Sequence, residues 1–179
     1  MKKILRESFF NRDTLIVSQA LLGKYLVRRI GKREYSGTIT EVEAYDGFHD
    51  KASHASKGKT KRNEVMFGNP GHWYVYLVYG FHWMLNIVTR EKDYPAAILI
   101  RGIEDIRGPG KVTQTFKVDK SLNALKADTK SGLWIEDRGV KVKRSEIKRS
   151  PRVGVSYAGP LWSKKHYRYL WIPNKGIER

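Results

Sequence analysis

Two carboxylates, Glu41 and Glu43, stand two residues apart in the run Thr38-Ile39-Thr40-Glu41-Val42-Glu43-Ala44-Tyr45. On an extended strand both face one side, with about 6.5 Å of rise between them. Alternation puts Ile39, Glu41, Glu43 and Tyr45 on one face and Thr40, Val42 and Ala44 on the other. A carboxylate can take a proton from water, and a pair can divide acid and base work as sugar-cleaving sites do. The ordinary reading of such a pair is a solvated strand face, because exposed carboxylates are the rule. Tyr45 shifts that reading toward a site by placing a flat ring beside the carboxylate. Residue chemistry alone does not choose between Glu41 and Glu43.

The second candidate is the aromatic run Tyr74-Val75-Tyr76-Leu77-Val78-Tyr79-Gly80-Phe81-His82-Trp83. Most aromatics in such a run, with Trp73, Val75 and Leu77, are expected to pack a core. Gly80 changes this locally, since an aromatic beside a glycine bend is presented rather than buried. A presented aromatic can stack on a base or wedge between base pairs. Arg101 closes the apolar run Pro95 to Ile100. It reads equally as a strand-end surface residue or as a buried partner for a carboxylate. His49, Asp50 and His54 suggest metal ligation, but their spacing matches no ligand signature, and an ordinary loop is the alternative.

These residues sit in a strongly basic chain. Its 179 residues (20.7 kDa) carry 35 Lys plus Arg against 18 Asp plus Glu, a net charge of +17, with pI 10.0. The length fits one domain, residues 1–179. Such a charge works against compaction and points to a polyanionic partner, and with the aromatics it points to nucleic acid. An anionic membrane surface is the rival, but no long basic amphipathic helix is evident. There are no cysteines, so disulfides, zinc–thiolate sites and thiolate nucleophiles are excluded. The charged start Met1-Lys2-Lys3-Ile4-Leu5-Arg6 lacks an apolar signal core, and no run reaches membrane-span length. An intracellular protein is expected.

Apolar spacing at Leu15, Ile16, Ala20 and Leu21 predicts a helix over Thr14–Leu22, capped by Asn11 or Asp13 and closed by Gly23. Strands are predicted at Lys24–Ile30, Gly37–Tyr45, Trp73–Tyr79, Phe81–Val88, Ala96–Arg101, Leu133–Ile135, Val140–Arg144 and Tyr167–Ile172. Arg33 to Gly37 reads as turn and re-entry, and Lys57 to Arg62 as a solvated loop after a short helix around Ala52–Ala55. Gly80 makes a hairpin or a bulged bend. Asn69-Pro70-Gly71 and Gly108-Pro109-Gly110 are turns, a helix starts in Lys111–Phe116, and Ser150–Gly159 is strand then turn. Consecutive strands with helices at intervals argue for an α+β domain.

Several short motifs agree in order and interval with a known family. Glu43-Ala44-Tyr45, His54, Arg62-Asn63, Met66-Phe67, Pro70-Gly71, Tyr74-Val75-Tyr76, Tyr79-Gly80, Asn86-Ile87 and Arg101 are followed by Gly108-Pro109, Ser150-Pro151-Arg152-Val153-Gly154 and Tyr157-Ala158-Gly159. Over nearly its whole length the chain resembles the alkyladenine (3-methyladenine) DNA glycosylases. The resemblance implies a compact α+β fold with a curved, mostly antiparallel sheet, surrounding helices and a protruding β-hairpin, similar to the formyltransferase C-terminal domain. It implies excision of 3-methyladenine, 7-methylguanine, hypoxanthine and ethenoadenine from double-stranded DNA, by a monomer needing no metal or organic cofactor. Carried over by position, Glu43 activates the attacking water and Arg101 positions it. Tyr45, His54 and Tyr76 wall the flipped base, the backbone at Ala52 and His54 meets its edge, and Asn86 obstructs the 2-amino group of guanine. Tyr79 wedges into the duplex, with Gly80, Phe81 and His82 beside it. Ala55 and His82 depart from bulkier or tyrosine residues in relatives, which touches fine DNA contacts. No lysine lies in the pocket motifs, so simple hydrolysis rather than Schiff-base lyase chemistry is expected. Two rivals remain: a non-catalytic nucleic-acid-binding domain of the same fold, and a sugar hydrolase using Glu41 and Glu43, which explains neither the charge nor Tyr79.

Overall fold

The β-rich runs of the sequence pair into an antiparallel sheet. A computed structural model of the chain describes residues 2–173. In chain order its elements are β1 (Lys3–Ile4), α1 (Glu7–Phe10), α2 (Thr14–Leu21), β2 (Tyr25–Ile30), β3 (Arg33–Asp46), β4 (Trp73–Val78), β5 (His82–Val88) and β6 (Ala96–Ile103). There follow β7 (Ile106–Arg107), α3 (Pro109–Thr115), β8 (Leu133–Asp137), β9 (Ile147–Ser150), α4 (Gly159–Ser163) and β10 (Arg168–Trp171), with short 3-10 turns between. The main sheet runs β1-β8-β2-β3-β6-β5-β4, while β10 joins β3 to β9 and β7 lies on β6. Mixed helices with an antiparallel sheet are the α+β class the sequence predicts. Among the described residues no helix is long and apolar enough to cross a membrane.

β3 is the hub. It pairs with β2 along Arg33–Thr38, with β6 along Ile39–Asp46, and with β10 at Glu41, Val42 and Glu43. Glu43 faces Leu99 of β6 on one side and Arg168 of β10 on the other. The segment Arg33–Gly37, predicted as turn and re-entry, is strand throughout. The chain reverses at Gly31-Lys32, where Gly31 takes a left-handed φ of 58°.

The predicted faces of β3 need one correction. Register shifts on both sides of Glu41 mark a bulge, and Ile39 packs in the main core with Val42 and Ala44. A bulge adds a residue to one strand and flips the alternation beyond it. Ile39 therefore faces away from Glu41, Glu43 and Tyr45, not with them.

Helix α2 packs on β3 and β6, and α3 on β5 and β6. Asp13 caps α2, accepting from the N–H groups of Leu15 (2.9 Å) and Ile16 (3.1 Å). Its buried face is Thr14, Val17, Ser18 and Leu21, whereas Ile16 is exposed. The apolar spacing misses this because two buried positions are polar. The Thr14 hydroxyl donates to Asp46 (2.6 Å) and the Ser18 hydroxyl to the Thr14 carbonyl (2.8 Å), which makes their burial tolerable. Val140–Arg144, predicted as a strand, is irregular up to a 3-10 turn at Arg144–Glu146, and Val142 only rests against the core edge. In Ser150–Gly159 only Ser150 is strand, as the end of β9.

Trp73, Val75, Leu85 and Ile87 fill the core beneath the β4–β5 hairpin, and the Trp73 indole N–H donates to the Leu133 carbonyl (3.0 Å). Leu77, predicted to pack with them, lies near the hairpin tip and is partly exposed. Gly102 on β6 lies under the β3 bulge. A Cβ built there would stand 2.9 Å from Glu41 Cβ and 3.1 Å from Thr40 Oγ1. Gly102→Ala is expected to force β3 from β6 at Glu41 and to lower stability by about 1–3 kcal/mol, as overpacking does. Denaturant unfolding measures this, and an unchanged midpoint would contradict the close approach.

Candidate active site

Glu43 is fully buried near the C-terminal end of β3. Oε1 accepts the Val153 backbone N–H (2.8 Å), Oε2 accepts the Tyr45 hydroxyl (3.0 Å), and Arg101 Nε lies 3.4 Å from Oε1. Burial pushes the Glu43 carboxyl above its ordinary range. Arg101, the Val153 N–H and the Tyr45 hydroxyl pull it back, while Glu41 pushes it further up. A carboxylate offers about four lone-pair positions, so these donors leave room for water.

Arg101 lies within β6 rather than at its end, which settles the two readings of the sequence in favour of a carboxylate partner. Its Nε donates to Glu41 Oε1 at 2.9 Å, closer than its approach to Glu43. Glu41 is buried too, and the same oxygen accepts Arg168 Nε at 2.7 Å. The two carboxylates therefore have distinct surroundings. Glu41 bridges two guanidiniums, and Glu43 is held by a backbone N–H and a phenol.

Beside Glu43 lies a cavity lined by Tyr45, Ala52, His54, Met66, Tyr74, Tyr76, Asn86, Ala97 and Tyr157. It gathers Tyr45, Ala52, His54, Tyr76 and Asn86, all five base-contact candidates. The strand period explains much of this, because Tyr74 and Tyr76 share a face of β4 and Asn86 on β5 pairs with Tyr74. His54 and Tyr76 meet edge to face at 4.7 Å between centroids, so they form one continuous wall. His54 Nδ1 lies 3.1 Å from the Tyr74 hydroxyl. Burial and the nearby Arg62 lower the His54 pKa, favouring the neutral ring. Asn86 is fixed by donating from Nδ2 to the carbonyls of Tyr74 (3.1 Å) and Met84 (3.3 Å).

The loop carrying Ala52 and His54 is held by a buried ion pair. Arg152 donates to both oxygens of Asp50 (2.5 and 2.7 Å) and to the Ala44 carbonyl (2.7 Å). Asp50 in turn accepts the Ala52 and Asp46 backbone N–H groups. Asp50 is thus a structural counter-ion, and its carboxylate is engaged by a guanidinium rather than set beside His49 and His54 for a metal. Ala55, expected at a DNA contact, is fully buried with Met66, Phe67 and Tyr74 and has no surface to offer one.

The hairpin tip stands apart from the cavity. Tyr79 (φ 53°) and Gly80 (φ 78°) are both left-handed, and the Phe81 N–H closes the turn on the Val78 carbonyl (3.3 Å). Tyr79 is 85% exposed and Phe81 69%, so both are displayed to solvent, and the Phe81 ring rests against His82 at 4.3 Å.

Sequence reasoning missed Met66, Tyr74, Ala97, Tyr157, the Val153 N–H, Arg168 and the Asp50–Arg152 pair. Tyr74 had a usable signal, its i,i+2 relation to Tyr76. Arg152, Val153 and Tyr157 lay in recognised motifs without a role. Arg168 had none, since only the β10–β3 register brings it to Glu41.

Comparison with known proteins identifies the family. The sequence pattern of the family described as Methylpurine-DNA glycosylase (MPG) matches residues 8–107 and 104–175. A protein of Methanocella arvoryzae named "Putative 3-methyladenine DNA glycosylase" is 43% identical over 176 residues, covering 87% of this chain and 86% of its own. Proteins of the same name from Legionella pneumophila strain Paris (41% identical, both chains covered in full) and Myxococcus xanthus (42%, covering 94% of this chain and 89% of its own) are similar throughout. A buried strand carboxylate beside an aromatic cavity, a displayed aromatic hairpin and near-complete alignment with these relatives lead to one assignment: the chain belongs to the methylpurine-DNA glycosylase family.

Proposed function

We propose that this protein extrudes damaged purines from duplex DNA and hydrolyses their N-glycosidic bond, leaving an abasic site. The observation that carries the reading is Glu43: a buried carboxylate with raised basicity, joined through the Tyr45 hydroxyl to the wall of an aromatic cavity. A base in a duplex is shielded, so the nucleotide must leave the stack at a cost of a few kcal/mol. Tyr79 on the hairpin tip fills the gap. The base enters between Tyr45 and the His54–Tyr76 wall. Purines alkylated at N3 or N7 are cationic, and neutral electron-rich rings attract them. The neutral state of His54 suits this, since an imidazolium there would repel the ligand.

Water held by Glu43 and Arg101 adds to the anomeric carbon as the carbon–nitrogen bond breaks. The bonding pair leaves with the purine, and Glu43 takes the proton from water. The carboxylate also stabilises positive charge that develops on the sugar. Hypoxanthine and other neutral lesions need a proton on the departing base. The backbone at Ala52 and His54 faces the base edge, and Asn86 disfavours a 2-amino group. Lys51, Lys57 and Tyr157 border an adjoining cleft, where the lysines meet backbone phosphates. Among the described residues no lysine lines the cavity, which favours hydrolysis over lyase chemistry. The chain acts as a monomeric single domain inside the cell.

Three outcomes test this. Purified protein should release 3-methyladenine from alkylated duplex DNA, and Glu43→Gln should lower release at least about 10²-fold while retaining DNA binding. Full activity in Glu43→Gln removes the general base, and binding without release in the natural chain favours a non-catalytic domain. The active form of Glu43 is the carboxylate and its pKa is raised, so activity should fall as pH drops through a midpoint above the ordinary carboxylate range. A single-turnover pH profile reads that limb. Tyr79→Ala should slow excision about tenfold by weakening extrusion, read with a fluorescent base analogue opposite the lesion. Unchanged fluorescence and rate would remove the wedge.

A further inference from the structure

Glu41 is unused by the mechanism above, yet it is buried and carries the densest charge contacts near the site. One oxygen, Oε1, accepts from Arg101 Nε at 2.9 Å and from Arg168 Nε at 2.7 Å. Arg101 Nε carries a single hydrogen, and that hydrogen is directed to Glu41; the 3.4 Å approach to Glu43 is an ion-pair distance without a hydrogen bond. Arginine beside a free carboxylate ordinarily forms a bidentate pair. Here it does not, although Glu43 lies within reach.

We propose that Glu41 is a positioning residue, bridging Arg168 to Arg101 so that the Arg101 guanidinium is held off Glu43 and the reacting carboxylate is not consumed as half of an ion pair. Arg168, opposite Glu43 on β10, supplies a second cation beside the buried Glu41 carboxylate. The groups facing Glu43 are Arg101 on β6, Glu41 and Tyr45 on β3, Arg168 on β10, Tyr76 on β4, and Arg152, the Val153 N–H and Tyr157 from the 151–158 segment. Among the described residues Arg101 is the cation nearest to Glu43, 3.4 Å from Oε1, and Glu41 holds it there; Arg152 is engaged by Asp50 and Arg168 by the same Glu41 oxygen. The two carboxylates thus divide the work: one reacts, and the other keeps the arginine in the water-positioning place.

This rests on Glu43 being the reacting carboxylate. The test compares Glu41→Gln and Arg168→Gln in single-turnover excision across the acid range, alongside equilibrium DNA binding and a carboxyl NMR titration of Glu43 without DNA, assigned by its loss in Glu43→Gln. In Glu41→Gln, Arg101 closes on Glu43 and a like charge disappears, so the acid midpoint moves down by about one unit. The plateau rate falls about tenfold or more while binding holds. In Arg168→Gln, Glu41 is left with one counter-charge and grips Arg101 harder, so the midpoint moves up. Opposite shifts together with the fallen plateau rate in Glu41→Gln, binding held, support the proposal; no shift, shifts of one sign, or opposite shifts with an unchanged plateau rate, which through-space charge alone produces, overturn it. If Glu41→Gln does not fold, Glu41→Asp, which keeps the charge and shortens its reach to Arg101, decides by its plateau rate: a fall with binding held supports the proposal and an unchanged rate overturns it. If the natural chain releases no base, the proposed function falls, while the NMR titration still reports on Glu41 independently.

Discussion

The buried pair between Arg152 and Asp50 is the constraint on which the site depends. It joins three segments distant in sequence: the end of β3 through the Ala44 carbonyl, the loop after it through Asp50, and the segment before Val153. Removing one partner from such a pair leaves an uncompensated charge in the interior, at a cost of about 3–5 kcal/mol. The placement of its ends matters more for function than that energy. Asp50 orders the loop bearing Ala52 and His54, and Arg152 delivers the next backbone N–H to Glu43. The Arg152 guanidinium also backs the Tyr45 ring at 4.7 Å. One ion pair thus fixes the cavity wall, the cavity loop and a donor to the buried carboxylate together.

Around Glu43 two demands oppose each other. Withdrawal from water makes a carboxylate a stronger base and also a costly ion. The donors at Val153 and Tyr45 and the charge of Arg101 limit that cost without cancelling the effect of burial. A solvated glutamate on an open strand would have neither the cost nor the raised pKa. The three-sided enclosure of β3, between β6, β10 and the 151–155 segment, is what creates it.

Much of this was legible in the sequence where periodicity and motif spacing carried it. The β4–β5 hairpin followed from aromatic and β-branched runs broken by Gly80, and the shared face of Glu41, Glu43 and Tyr45 followed from alternation. The bulge was not legible: nothing in Ile39-Thr40-Glu41 announces an extra residue, and it is defined only by the register with Gly102 and its neighbours on another strand. The polar buried stripe of α2 was hidden because Thr14 and Ser18 satisfy their hydroxyls through Asp46 and the helix backbone. The long-range cations followed no local pattern. Arg168 and Arg152 lie more than 100 residues from Glu41 and Asp50, and only folding brings them there.

The tip of the β4–β5 hairpin has a further consequence. Tyr79 owes its position to a left-handed backbone rather than to neighbours that clasp its ring. Such a conformation is unfavourable for a bulky residue, and the strain is met when the chain folds. Aromatic side chains have few rotatable bonds, so little freedom remains to be lost when the tip meets a surface. In the proposed docking on DNA, the backbone turn that presents Tyr79 is therefore already formed by folding, and the contacts made by the ring govern the rest.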